Sequence, residues 1–147
     1  MSAHMQKRYD LALERIRDND YKGAIGFLED NLKYGGRSPS SLSLLGAIIT
    51  KSGGNLKKAE KFCKEAIELE SNNSDHYLNL AEVYVKRKWQ SKAVEVLRTG
   101  IELDPENSEI VKLLNQLCTR KKTPIPFLNR SNPINKFIGK LFANYRM

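Results

Sequence analysis

The chain carries no acid beyond Glu109: all 17 Asp and Glu residues lie at or before that position. From Arg120 onward there are seven bases, Arg120, Lys121, Lys122, Arg130, Lys136, Lys140 and Arg146. The remaining 18 of the 25 Lys and Arg residues face those 17 acids, so the body is nearly neutral and the net charge of +8 belongs to the tail. A uniformly basic, nucleic-acid-coating body is thereby excluded, while the tail has an attraction for anionic surfaces. No apolar run approaches the roughly 20 residues that cross a bilayer. The first 20 residues are polar and charged, without the apolar core of a secretory leader, so a cytoplasmic location is expected. Residues 1–5, MSAHM, read as a cloning remnant, with the native start expected at Met5; His4 is discounted with them. Cysteine is scarce. Cys63 and Cys118 stand far apart, outside any paired metal-ligand spacing, and read as reduced, buried thiols.

Catalytic chemistry is equally sparse. His76 is the remaining histidine, next to Tyr77, and is expected to face solvent or to be partly packed rather than to act as a base. The pairs Gly35–Gly36 and Gly53–Gly54 lack the lysine of a phosphate loop. Glu60, Glu65, Glu68 and Glu70 read as a solvated helix face. Tyr77 and Tyr84 read as core, with Trp89 at a turn. No catalytic, metal-binding or cofactor-binding residue is predicted, and an enzyme is not expected.

What is present is a repeat. Sliding the chain by 34 residues lays IELESNNS (67–74) on IELDPENS (101–108), Ala59 on Ala93, Cys63 on Leu97, Ala66 on Gly100 and Leu80 on Leu114; a slide of 35 lays Ala24 on Ala59. Periods of this size mark stacked helical hairpins. Small residues at Ala81, Ala93 and Gly100 allow close helix approach, and Pro105 stops a helix between hairpins.

At these positions the chain resembles the tetratricopeptide repeat family, in the style of small bacterial members with a C-terminal amphipathic extension. Residues 74–107 carry the pattern as Tyr77, Leu80, Ala81, Tyr84, Ala93, Leu97, Gly100 and Pro105. Residues 39–73 carry it as Leu42, Leu45, Gly46, Ile49, Ala59, Cys63 and Ala66, with one extra residue in the KSGGN turn and Ser71 in place of proline. Residues 6–38 carry it as Tyr9, Ala12, Leu13, Ile16, Tyr21, Ala24 and Leu28, with a turn read as one residue short. The resemblance implies an all-α, right-handed superhelix: three repeats (6–38, 39–73, 74–107) and a capping helix (108–122), together spanning 6–122. Ser74 and Ser108 are the expected N-caps.

Beyond lies an extension, 123–147. Pro124, Pro126 and Pro133 forbid a continuous helix, so an extended spacer is expected. Asn132 and Pro133 then suit a helix start. Ile134, Phe137, Ile138, Leu141, Phe142 and Tyr145 recur at i, i+3, i+4, i+7, i+8 and i+11, one apolar stripe on a helix. With Phe127 and Leu128 of the spacer they form the predicted docking tail.

The family resemblance implies a concave surface lined by the first helix of each hairpin. Its contact residues here are Ser43, Ala47, Thr50 and Lys51; Leu78, Glu82, Val85 and Lys86; and Lys112, Gln116 and Thr119. Some members grip a peptide's terminal carboxylate with Lys and Asn; Ser43, Ala47, Leu78 and Glu82 stand in those places. The expected function is therefore a protein-binding scaffold for a helical or extended peptide, without a carboxylate clamp. The tail is expected to dock on its own array or on a second copy, giving a homo-oligomer. A peripheral membrane adaptor using the basic amphipathic tail is the alternative. Nucleic acid is disfavoured because the tail bases form no compact cluster.

Overall fold

The computed structural model describes residues 3–35 and 37–118 in full and the backbone of the last helix to residue 120. The described residues form seven helices and no strand. In order they are α1 (Ala3–Arg17), α2 (Tyr21–Tyr34), α3 (Pro39–Lys51), α4 (Leu56–Leu69), α5 (Ser74–Lys86), α6 (Gln90–Leu103) and α7 (Ser108–Arg120). Each odd-numbered helix up to α5 packs on its successor, and the short turns between them force the pairs to reverse direction. The hairpins then stack: α2 meets α3, α4 meets α5, α6 meets α7, and α3 meets α5 directly. This is an α-solenoid, each hairpin burying its apolar face against the next.

Glycine and alanine decide how close the helices lie. A methyl group built on Gly46 of α3 would sit 2.4 Å from Cys63 Sγ and 2.9 Å from the carbonyl oxygen of Ala59, both on α4. One on Gly100 of α6 would sit 2.8 Å from Ile110 Cδ1 and 3.2 Å from Tyr77 Cβ. Ala12, Ala24, Ala59, Ala66, Ala81 and Ala93 are completely buried at the same contacts. Leu28, Leu42, Leu45, Leu97 and Ile110 fill the volumes between them. Helix α3 is the centre of the stack, with Ser41–Ser43 and Leu45–Thr50 all buried.

The turns inside the hairpins share one device, a residue in the left-handed region. It is Asn19 at φ 59°, Gly53 at φ 74° and Lys88 at φ 62°. Only Gly53 takes this conformation without a Cβ penalty. The amide after the left-handed residue bonds back to the preceding helix at 2.8 Å in all three turns (Asp20 N to Arg15 O, Gly54 N to Ile49 O, Trp89 N to Tyr84 O), so the extra residue of the second hairpin is Asn55, which caps α4. The first turn is not short. Three residues separate α1 from α2, as three separate α5 from α6, and Ala12 precedes Ala24 by the same interval as Ala81 precedes Ala93. The first hairpin therefore aligns through Ala12 with Gly46 and Ala81. This moves Tyr9, Leu13 and Ile16 one place from their predicted register, onto the positions of Ser43, Ala47 and Thr50.

The caps also sit one residue earlier than expected. Asn73, not Ser74, caps α5 by accepting from Asp75 N at 3.1 Å. Asn107, not Ser108, accepts from Ile110 N at 3.2 Å at the start of α7. Asn107 does more: its amide donates to Ser74 Oγ at 3.0 Å and to Asp75 Oδ1 at 3.1 Å, joining the starts of α7 and α5. At the other end, Asn31 donates to Met5 O at 3.0 Å and to Ser41 Oγ at 3.5 Å. Met5 thus belongs to the packed α1–α2 hairpin, and α1 begins two residues before it. Residues 121–147, with the predicted spacer, the docking residues and the C-terminal helix, lie outside the described residues. No helix among the described residues is long and apolar enough to cross a membrane.

Candidate functional site

Residues at equal repeat positions on α1, α3, α5 and α7 form the inner surface. Its floor is α3. The structure buries three of the residues predicted to make contacts there. Ser43 is 2% exposed and its hydroxyl accepts from Asn79 Nδ2 at 2.8 Å; Ala47 and Thr50 are each 4% exposed, and the Thr50 hydroxyl donates to Gly46 O at 2.8 Å. Their short side chains lie below the long ones of the flanking helices, and their hydroxyls are committed to internal bonds. Lys51, at the end of α3, stays exposed.

Helix α1 supplies a wall that the sequence reading missed. Tyr9 is half-buried against the core. Its hydroxyl is pushed up from the ordinary tyrosine range by burial and by the negative charges of Asp75, at the start of α5, and Asp10. The signal was the equal Ala12–Ala24 and Ala81–Ala93 spacing, which puts Tyr9 in register with Leu78.

The opening lies between α5 and α7. A cleft of about 280 Å³ is lined by Leu78, Glu82, Glu109, Lys112, Leu113 and Gln116. It brings together four predicted contact residues, Leu78, Glu82, Lys112 and Gln116, and adds Glu109 and Leu113. Val85 is half-buried against the core and Lys86 is exposed. The Thr119 side chain lies outside the described set. Glu82 is the distinctive group. Burial holds its carboxyl above the usual range, Lys51 opposes this, and Glu109 adds to it. A desolvated carboxylate facing a second one repels a ligand carboxylate, whereas half-buried Leu113 offers apolar contact; Leu78, 7% exposed, is buried much as Ala47 and Thr50 are.

Other polar groups serve the frame. His76 is 2% exposed, contrary to the expected solvent-facing or partly packed position, because it lies under α4 with Nε2 2.8 Å from Glu70 Oε2. Glu60 joins α4 to the α5–α6 turn through Arg87 and to α5 through the Tyr84 hydroxyl at 3.3 Å, and pairs along α4 with Lys64 at 2.8 Å. Burial works against the charge of Glu60, but Lys64, Arg87 and Tyr84 together hold its carboxyl below the usual range. Arg87 also lies 3.6 Å, and Lys92 4.4 Å, from the ring centre of Trp89, which sits 5.9 Å from Tyr84. Burial, with Glu82 and Glu60 nearby, pushes the Cys63 thiol up to about 12, so it is inert. No group of three or more His, Cys, Asp or Glu suited to a metal occurs among the described residues.

Solved structures share this architecture. The Sgt2 TPR domain from Aspergillus fumigatus is 17% identical over 92% of this chain and 95% of that one, with a TM-score of 0.74. The second TPR domain of human RPAP3, in complex with an HSP70 peptide, is 21% identical over 82% and 100%, with a TM-score of 0.70. An O-GlcNAc transferase mutant from Thermobaculum terrenum is 20% identical over 82% of this chain and 23% of that one, with a TM-score of 0.77. Residues 52–117 match the tetratricopeptide repeat family model. The described array as a whole thus has the fold of tetratricopeptide repeat domains, and residues 52–117 match that family.

Proposed function

We propose that this protein is a non-enzymatic scaffold that binds a peptide segment of another protein in the cleft between α5 and α7. The observation that carries the reading is the cleft itself, where Leu78 and Leu113 stand beside Glu82, Lys112 and Gln116 on the inner surface. Apolar anchors flanked by a few polar groups are what a short peptide needs for affinity and register. The similar RPAP3 domain, solved with an HSP70 peptide, supports a peptide as the ligand. The chemistry here differs from a carboxylate clamp, since Glu82 and Glu109 face the cleft and Lys51 and Lys112 only offset them. The favoured ligand is an apolar segment with a nearby cation, bound through its interior. The working units are the three hairpins divided at 38/39 and 73/74, the cap from 108, and the C-terminal extension as a docking element.

A displayed library of short peptides, selected on the full chain, tests this. Selected sequences are expected to pair an apolar residue with Lys or Arg and to bind equally well with a free or an amidated C-terminus. Glu82→Lys, whose position is at the rim of the core, is expected to weaken them about tenfold or more, roughly 1.4 kcal/mol. Recovery of peptides that require a free terminal carboxylate, or unaltered binding by Glu82→Lys and Lys112→Glu, refutes the site.

A further inference from the structure

The turns inside the hairpins and the links between hairpins lie on opposite edges of the solenoid. On the link edge, Asn31 ties the end of α2 to Met5 on α1 and Ser41 on α3, and Asn107 ties the start of α7 to the start of α5. On the turn edge, Arg87 after α5 reaches Glu60 near the start of α4. The sequence loads the two edges with opposite charge. Residues 48–59 and 83–93, spanning the second and third turns, hold Lys51, Lys57, Lys58, Lys86, Arg87, Lys88 and Lys92 and no acid. Residues 66–75 and 100–109, spanning the links, hold seven acids and no base. Around the first turn, Arg15, Arg17 and Lys22 are balanced by Glu14, Asp18 and Asp20. The nearly neutral body is therefore a charge dipole one helix length across, roughly 20 Å. That exceeds the screening length of about 8 Å at physiological salt, so a surface meeting the turns feels the bases alone.

The α5–α6 turn gives up stability to present its side chains. Asp20 and Asn55 cap α2 and α4, whereas Trp89 stands at the start of α6 and makes no side-chain capping bond. Lys88 holds φ 62° where the second turn uses Gly53. Lys92 lies in the first turn of α6, the end of a helix that disfavours a cation. Trp89 is 38% exposed, with Arg87 and Lys92 over its ring. Glu29 and Glu60 offset Lys58 and Arg87, but Lys57, Lys86, Lys88 and Lys92 are exposed and form no ion pair among the described residues.

We propose that the edge formed by the second and third hairpin turns rests on an anionic lipid bilayer, with Trp89 at headgroup level and the lysines against the lipid anions. An indole flanked by cations suits that interface, apolar in its body and polar around it. Each lysine held near such a surface adds to the attraction. A nucleic-acid strand fits less well, because Arg87, 3.6 Å from the ring centre, already occupies a face on which a base would stack. In this pose the acidic edge points away from the lipid, and the α5–α7 cleft on the inner surface stays open to a peptide.

Trp89 is the single tryptophan of the chain, so its fluorescence reports on this edge and not on the tail. The full chain is expected to sediment with vesicles of phosphatidylcholine and phosphatidylserine, with a blue-shifted Trp89 emission shielded from acrylamide, and to ignore phosphatidylcholine alone. Lys86→Glu with Lys88→Glu is expected to weaken binding about tenfold or more, with the helicity of the array unchanged. No sedimentation with the anionic vesicles overturns the proposal. So does sedimentation that leaves Trp89 emission unchanged, or that survives the edge variant and is lost on Lys136→Glu with Lys140→Glu, which assigns the membrane to the tail. Quenching of Trp89 by a single-stranded oligonucleotide, without vesicle binding, also overturns it in favour of nucleic acid. Peptide binding is independent: the edge variant is expected to keep it, and Glu82→Lys to keep vesicle binding, so either reading can fail alone.

Discussion

Gly46 and Gly26 both lie within helices, yet alanine at each is expected to change stability in opposite directions. In α2, a methyl group on Gly26 meets nothing within 4 Å. Gly26→Ala therefore gains helix propensity and loses unfolded-chain entropy, together a stabilisation of about 0.5–1 kcal/mol. In α3 the same methyl on Gly46 would lie 2.4 Å from Cys63 Sγ and 2.9 Å from Ala59 O. The sulfur belongs to a short, fully buried side chain and the oxygen to backbone, so neither yields without moving α4 away from α3. Overpacking of this kind costs about 1–3 kcal/mol, which outweighs the propensity gain. Gly46→Ala should thus lose about 1–2 kcal/mol net, a Tm decrease of roughly 4–8 °C for a chain of this size. Adding Cys63→Ala removes the closer clash, so the double variant should be less destabilised than the two single effects predict. Urea unfolding of the four proteins measures this. A neutral or stabilising Gly46→Ala, with additive behaviour in the double variant, would refute the close approach of α3 and α4 on which the repeat packing rests.

Asn107→Ala removes the cap on Ile110 N and the bonds to Ser74 and Asp75, so a loss of about 1–2 kcal/mol is expected in denaturant melts, against little change for Ser108→Ala. Lys88→Gly relieves a side chain from the left-handed region and should raise stability by up to about 1 kcal/mol; a lower Tm would contradict that turn geometry. Glu82 is held above the usual carboxyl range, so the folded state binds its proton more tightly than the unfolded chain does. Its ionisation costs stability as pH rises above the ordinary carboxyl value. Glu82→Gln should therefore stabilise at pH 7, and the gain should shrink as pH falls toward about 4.5 and be absent below it, checked by thermal melts across that range.

The sequence by itself determined the hairpin period, the all-helical class and the close contacts of the second and third repeats. These depend on residue size at fixed intervals: Ala59 on Ala93, Ala66 on Gly100 and Gly46 on Ala81 each mark a place where a larger side chain would keep two helices apart. Tertiary structure decided what is inside the inner surface. Ser43, Ala47 and Thr50 lie on the correct face of α3, yet they are buried, because exposure of a short side chain is set by the longer residues on neighbouring helices. His76 is buried for a related reason, since its surroundings are supplied by α4 and Glu70 rather than by α5. The caps moved to Asn73 and Asn107 because Asn and Ser are both competent acceptors, and only the backbone path, with Ser74 already helical, chooses between them. The register of the first hairpin was legible in the Ala12–Ala24 interval, but Tyr9 drew the alignment one residue aside. An aromatic ring fits an inter-helix contact and an inner wall equally well, and only the backbone path, with three residues between α1 and α2 as between α5 and α6, shows which one it lines.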